Sequence, residues 1–155
     1  MIKISITEDM IKSAKYRAEK PTVIRSAISG GGLLEGFIGE EVANKVLHGT
    51  IANTYDYDIV LDTGETVDVK TKRVASAPLV SYSCSVMKTG FNQKCDKYAF
   101  VRVLKNLSFA WYLGCIDKRE FFDRASFHKK GEYDPSNDYT FRANCYNIPI
   151  EGLVI

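Results

Sequence analysis

The chain opens with an alternation of apolar and polar positions, in which isoleucines stand at positions 2, 4 and 6. A period of two is typical of a half-buried strand, so a short strand is predicted here. Thr7 then precedes two acids, and a hydroxyl cap followed by carboxylates favours the start of a helix. This helix is predicted to run to about Lys20 and to end at Pro21.

A second helix is predicted from the helical periodicity of the apolar residues between Leu33 and Leu47. The Ser29-Gly30-Gly31-Gly32 segment before it is interpreted as a flexible turn, because consecutive glycines leave the backbone permissive. Gly49 is expected to close this helix.

Two strand-like runs follow, from Tyr55 to Leu61 and from Thr66 to Thr71. The segment Asp62-Thr63-Gly64-Glu65 joins them, and its glycine can supply the positive φ that a tight turn requires. These features predict a β-hairpin.

The same periods predict the remaining elements: a strand over Leu79 to Val86, a short helix or loop over Thr89 to Asp96, a buried strand over Tyr98 to Leu104, a neighbouring strand over Phe109 to Ile116, a short helix over Lys118 to Ala125, and small β segments between turns from His128 to Ile155. Helices flanking a central mixed sheet are therefore expected, in an α/β or α+β arrangement. A length of 155 residues fits one domain, spanning residues 1–155.

Composition is that of a globular protein, with 45% hydrophobic and 26% charged residues. No apolar run approaches the ~20 residues of a membrane-spanning helix, and the N-terminus lacks a signal-peptide core, so we expect a cytoplasmic protein without a membrane partner. The net charge of +2 does not by itself predict a nucleic-acid partner. Three groups of basic residues are interpreted as solvated surface: Lys12, Lys15, Arg17, Lys20 and Arg25; Lys70, Lys72 and Arg73; and Lys88, Lys94 and Lys97.

Candidate chemistry lies on the hairpin. Side chains alternate along a strand, so Asp68 and Lys70 share one face while Val67 and Val69 share the other. The hairpin can bring Asp58 beside Asp68. Two converging carboxylates suit a hard divalent cation such as Mg²⁺, and a neighbouring ammonium can orient a water or stabilise a phosphate. The alternative is that these charges only decorate an exposed hairpin.

In order and spacing, these residues resemble the PD-(D/E)XK nuclease superfamily. The matching positions are Gly39-Glu40, Asp58, Asp68-Val69-Lys70 and Asn92-Gln93-Lys94, within about Leu33 to Val103; Tyr57 stands in place of the family's proline. The resemblance implies a restriction-endonuclease-like fold and Mg²⁺-dependent hydrolysis of DNA phosphodiesters, with Mn²⁺ expected to substitute.

Three further segments are similar to small bacteriophage-encoded members of the superfamily: Ser26-Ala27-Ile28-Ser29-Gly30, Gly36-Phe37-Ile38-Gly39-Glu40 and Cys145-Tyr146-Asn147-Ile148-Pro149-Ile150. This likeness would place the protein in a host cytoplasm.

The resemblance also assigns roles. Asp58, Asp68 and the Val69 carbonyl would bind the metal, and Lys70 would position or activate the attacking water. Gln93 would hold a metal-bound water or a phosphate oxygen. At ~100° per residue, Glu40 lies at the edge of the apolar arc of its helix and Glu41 lies on the polar side, so Glu40 is the expected additional ligand.

Four basic residues, Lys72, Arg73, Lys88 and Lys94, are candidates for contacts to the DNA backbone. Two alternatives stay open. One is a structure-selective Holliday-junction resolvase, which would act as a homodimer because it must cut two strands. The other is a catalytically silent nucleic-acid-binding protein on the same fold.

Overall fold

The structure, a computed structural model, describes residues 1–19, 32–52, 54–135 and 138–155. The predicted helix end at Pro21 and the turn at residues 29–31 lie outside the described residues. The described helices are α1 (Glu8–Glu19), α2 (Gly32–Leu47) and α3 (Lys118–Arg124). The described strands are β1 (Ile2–Ser5), β2 (Thr50–Ile51), β3 (Ile59–Val60), β4 (Thr66–Val74), β5 (Ser83–Met87), β6 (Lys97–Leu104), β7 (Phe109–Asp117), β8 (Ser126–His128), β9 (Tyr133–Asp134), β10 (Tyr139–Thr140) and β11 (Cys145–Pro149).

The largest sheet has six strands in the order β1-β7-β6-β4-β3-β2. Strands β4 and β6 are parallel, and the other neighbours in this sheet are antiparallel. The parallel register pairs Asp68 with Tyr98 and Lys72 with Arg102. A smaller sheet has the order β5-β11-β8, and β9 pairs with β10. The predicted mixture of helices with a central mixed sheet is confirmed.

The two faces of the large sheet bury separate hydrophobic clusters. Helices α1 and α2 cover one face, where Ile38 and Val42 pack in the same cluster as Val67 and Val101. Helix α3 and the small sheet contribute to the other cluster, which contains Tyr98. Burial of apolar side chains on both faces explains why β6 is an almost continuous apolar run.

The helix boundaries follow local chemistry. Thr7 Oγ1 accepts a hydrogen bond from Met10 N–H at 3.2 Å, which confirms the predicted cap of α1. The prediction that Gly49 closes α2 is wrong in detail, because His48 takes the left-handed conformation, with a φ of 55°. A Cβ at Gly49 would lie 2.6 Å from the Val60 carbonyl oxygen, so this glycine instead permits close packing against β3.

The predicted hairpin is confirmed, and Gly64 adopts a φ of 85° in its turn. Its first strand, β3, contains only Ile59–Val60 and is therefore shorter than predicted. The predicted strand from Leu79 begins only at Ser83, because its partner β11 ends at Pro149, opposite that residue. None of the described helices has the length and apolarity to span a membrane.

Candidate active site

Strand β4 carries Asp68 and Lys70 on the face opposite Val67 and Val69. Asp68 is buried, with 5% exposure, and lies beside Tyr98 of β6 in the parallel register. Lys70 follows two residues later on the same face, and its Nζ is 2.6 Å from Asp68 Oδ2. Val67 and Val69 pack on the other face, against the cluster beneath α2. The predicted division of β4 into an apolar face and an ionic face at these positions is confirmed.

Asp58 reaches the same strand from the end of β3. Its Oδ2 accepts a hydrogen bond from Val69 N–H at 2.7 Å, and its own N–H donates to the Val67 carbonyl at 2.9 Å. Because the Asp58 carboxylate takes up the Val69 N–H, that group cannot bond to a neighbouring strand. The pairing of β3 with β4 therefore does not extend beyond this point. The sheet edge therefore opens where the two aspartates meet.

Gln93 connects Asp68 with Lys70. Its Nε2 donates to Asp68 Oδ1 at 2.9 Å, and its Oε1 accepts from Lys70 Nζ at 3.1 Å. The resemblance suggested a helix at this position, but Gln93 directly follows a short 3-10 helix, Lys88–Asn92, and has extended backbone angles. Lys118 Nζ donates to the Gln93 carbonyl, which anchors this loop beside β4.

Glu40 comes from α2, on the other side of the sheet edge. Its neighbour Gly39 lies directly over β4, since a Cβ there would be 1.8 Å from Thr71 Oγ1. The absence of a side chain at Gly39 thus lets α2 approach the strand that bears Asp68. The Glu40 carboxylate forms an ion pair with Arg17 of α1. Glu41 accepts a hydrogen bond from Ser13 Oγ at 2.6 Å, and its Oε1 also lies 3.7 Å from Arg17 Nη1.

The acids in this cluster are electrostatically strained. Burial raises the pKa of Glu40 to about 7, although Arg17 opposes the shift, and the Asp68 charge raises it further. Burial also raises the pKa of Asp58 well above its usual value, and the Glu40 and Asp68 charges add to this shift. Desolvation is the main cause of both shifts, repulsion by neighbouring acids adds to it, and the nearby cations do not fully offset the two effects.

The acids of the cluster offer oxygen atoms, the donor type that a hard divalent cation prefers. Within the described ranges, no three His, Cys, Asp or Glu side chains converge as a preformed metal-ligand group, and the acids of the cluster hold protein donors instead. Asp68 Oδ2 is buried and, although it contacts Lys70 as an ion pair, accepts no hydrogen bond from any described group. Oxygen donors with surplus negative charge are the environment that Mg²⁺ prefers.

The four basic residues predicted to contact DNA come from three segments of the chain, β4, the 3-10 helix and the loop after it. Lys72 continues the ionic face of β4, whereas Arg73 lies on the other face and pairs with Glu35 of α2 at 3.0 Å. Lys88 begins the 3-10 helix. Lys94 is exposed, and its backbone N–H donates to Asp56 at 3.1 Å.

The sequence interpretation assigned Arg17 to a solvated surface, and this is wrong. Its side chain is 12% exposed, pairs with Glu40 and lies over the Phe37 ring, with its guanidinium carbon 4.5 Å from the ring centroid. Arg102 received no role, although a single arginine within the otherwise apolar run of β6 was a visible signal. Arg102 proves to be buried, with 6% exposure.

Comparison with protein-family models and with curated proteins finds no match for this sequence.

Proposed function

We propose that this chain is a metal-dependent nuclease that hydrolyses DNA phosphodiester bonds with an activated water. The observation that carries the proposal is the group of Asp68, Lys70 and Gln93 in mutual contact, with the Asp58 carboxylate bound to the next residue of β4 and the charges of Glu40 and Asp68 acting on Asp58. Surface decoration of a hairpin does not require burial that raises the pKa of Glu40 and Asp58, because exposed carboxylates remain solvated.

Glu40, Asp58 and Asp68 would hold the cation, together with the Val69 carbonyl. Mg²⁺, or Mn²⁺ in its place, would supply Lewis-acid stabilisation of the phosphoryl oxygens and lower the pKa of a bound water. Its double charge also offsets the repulsion between the buried acids, which is an energetic reason for the cluster to bind a cation.

Lys70 and Gln93 would act on the substrate side of the cluster. The Lys70 ammonium is held between Asp68 and the Gln93 side-chain oxygen, at 2.6 and 3.1 Å, so its position is defined before substrate arrives. An ammonium placed there can orient the attacking water and stabilise negative charge on the phosphate. The Gln93 amide can hold the same water or a phosphate oxygen once a ligand displaces one of its present partners.

A cleavage assay tests this function. End-labelled single-stranded, blunt-duplex, flapped and four-way-junction DNA would each be incubated with Mg²⁺, Mn²⁺ or EDTA. We expect cleavage of at least one substrate with either metal, none in EDTA, and none by Asp68→Asn. Asp62→Asn, an exposed acid in the hairpin turn, is the matched control and should cleave normally. Wild-type cleavage by Asp68→Asn, or no cleavage of any substrate by the wild-type protein, would reject the nuclease.

A further inference from the structure

A second charged region adjoins the candidate active site. A cleft of about 500 Å³ is lined by residues of β4, β6, β5, β11 and the segment around β10. We call it the cation cleft because Lys72, Arg102 and Arg142 all line it. It lies on the face of β4 that carries Asp68 and Lys70, and Lys72 follows Lys70 by two residues, or about 6.6 Å along the strand.

The cations of this cleft have no ion-pair partner within the part of the chain that the structure describes. Lys72 and Arg102 are direct neighbours in the parallel register of β4 and β6. Arg102 is buried, and its Nη2 donates to the Ser83 carbonyl at 2.6 Å, but a carbonyl carries no full charge. Among the described ion pairs, none includes Lys72, Arg102 or Arg142, and Asp134 is the acid that also lines the cleft.

The pKa shifts of groups in the cleft agree with an excess of positive charge there. Burial lowers the pKa of Arg102, and burial together with the Arg102 charge lowers the pKa of Lys72. The Cys84 thiol lies near both cations, but burial raises its pKa to about 12, so it stays neutral at physiological pH. Two adjacent cations that form no ion pair with any described acid, in a concave site, provide an environment for an anion.

Polar and aromatic groups in the same cleft fit a nucleotide strand better than a bare anion. Tyr82 and Tyr139 line the cleft and are 43% and 41% exposed, so their rings are available for stacking. Asn147 Oδ1 is buried there without a hydrogen-bond partner among the described groups, and it can accept from a base amino group. Bases can stack on tyrosines only where they are not stacked within a duplex.

We propose that the cation cleft binds a single-stranded segment of the DNA substrate that continues from the phosphodiester bond at Lys70. Lys72, Arg102 and Arg142 contact its phosphates, and Tyr82 and Tyr139 stack on its bases. The substrate class is therefore DNA with an unpaired stretch next to the cut. This inference rests on the proposed nuclease function for its link to cleavage, whereas the binding itself can be measured separately.

Fluorescence anisotropy in EDTA measures binding without metal-dependent cleavage. The probes are a labelled oligothymidylate of about 16 nucleotides and a blunt duplex of the same length. We expect the wild-type protein to prefer the single strand. The Lys72→Gln/Arg142→Gln double variant should bind it about tenfold more weakly, and the slope of log K against log salt should become shallower by about 1.4, since each contacted phosphate of a single strand contributes about 0.7.

Two further variants separate charge from stacking. Lys12→Gln/Lys15→Gln removes the same charge from exposed positions on α1, across the sheet from the cleft, and should leave affinity unchanged. Tyr139→Leu should weaken binding roughly fivefold or more without changing the salt slope, because stacking involves no counterion release. Circular dichroism checks that each variant is folded. Arg102 is left intact because its burial makes it a folding risk.

The possible outcomes distinguish a failure of the proposed cleft from a failure of the proposed nuclease function. Three results would overturn the proposal that the cleft binds single-stranded DNA. They are equal losses of affinity in the two double variants, a preference for the blunt duplex, or full competition by dTMP at the same nucleotide concentration. If cleavage in Mg²⁺ persisted in that case, the nuclease would stand without this substrate class. If the predicted binding occurred but no DNA substrate were cleaved, the cleft would stand and the nuclease would not.

Discussion

Two neighbouring stretches of β4 carry opposite charge imbalances. At Asp68, the strand joins a cluster with Glu40 and Asp58 in which buried acids repel one another. At Lys72, four residues later on the same face, the strand joins a cluster of cations, in which desolvation and the charge of the buried Arg102 lower the pKa of Lys72. Lys70 lies between them and pairs with Asp68. Under the proposed function, the acidic cluster takes the metal cation and the cation cleft takes the polyanion.

The other face of β4 provides the reference. There, the buried carboxylate of Glu35 forms an ion pair with Arg73 at 3.0 Å, and the adjacent positions are apolar or small. On this face, which serves only to pack against α2, the buried charge of Glu35 thus has an ion-pair partner. The surplus charge on the ionic face is therefore a property of the site and not of the strand as a whole.

The largest expected effect concerns the residue between the two clusters. Lys70→Ala should lower kcat for DNA cleavage by about 10² to 10⁴-fold, the usual contribution of a positioned acid–base group, because the attacking water loses its ammonium neighbour. Single-strand binding in EDTA and the circular dichroism spectrum should stay close to wild type, since Val67 and Val69 hold the strand in the core. Wild-type kcat in this variant would exclude Lys70 from the chemistry.

Gly39→Ala should act on the acidic cluster alone. The new Cβ would lie 1.8 Å from Thr71 Oγ1, so α2 must move away from β4, at a cost of about 1 to 3 kcal/mol in the free energy of unfolding. Glu40 moves with the helix, and cleavage should fall while binding to the cation cleft persists. Urea unfolding and both activity assays measure this.

Gly36→Ala is the matched control for that change, because a Cβ at Gly36 meets nothing within 4 Å. Alanine is also the better helix former, so this variant should be as stable as wild type or more stable. A similar destabilisation by both alanines would show that helix packing on Thr71 is not the cause.

Asp58→Asn should stabilise the metal-free protein. Because burial raises the pKa of Asp58, its titration destabilises the fold above the unfolded pKa, and this penalty grows with pH until the folded-state pKa is passed. Removing that charge should add about 1 to 2 kcal/mol near neutral pH and raise Tm by a few degrees. The amide oxygen can still accept from Val69 N–H, as the carboxylate does at 2.7 Å.

The same variant should lose the increase in Tm that saturating Mg²⁺ gives to the wild-type protein, because a metal ligand is removed. Differential scanning fluorimetry with and without Mg²⁺ measures both effects. A metal-free Tm below that of wild type would contradict the surplus of negative charge in the cluster.

The smallest expected effect is at Asp96, an exposed acid outside both clusters. Its Oδ2 accepts from Thr66 N–H and Oγ1 at 2.8 and 2.7 Å, and these hydrogen bonds lower its pKa. A lowered folded-state pKa stabilises the protein above the unfolded pKa, and this contribution is lost as pH falls below about 4. Asp96→Asn should therefore cost at most about 0.5 kcal/mol at pH 7, since solvent screens the group.

Urea unfolding at pH 7 and at pH 3 compares the two proteins. The difference between wild type and Asp96→Asn should shrink at the lower pH. A difference that grows on acidification would reverse the assigned sign of the pKa shift.

The sequence by itself determined the local elements of this protein. The strand of alternating isoleucines, the Thr7 cap, the hairpin turn at Gly64 and the apolar runs of β6 and β7 were all predicted, because each depends on residues a few positions apart. The alternation of β4 likewise placed Asp68 and Lys70 on one face, since a strand has a period of two.

Tertiary structure alone decided which distant residues meet. Close packing of α2 at Gly39 brings Glu40 to the sheet edge, and packing of α1 on α2 gives Glu40 its partner Arg17. The parallel register of β4 with β6 places Lys72 beside Arg102. These contacts join residues separated by at least 23 positions, and local periodicity carries no information about register or packing across such distances. The charge of each cluster is therefore a property of the fold, although every residue that bears it is visible in the sequence.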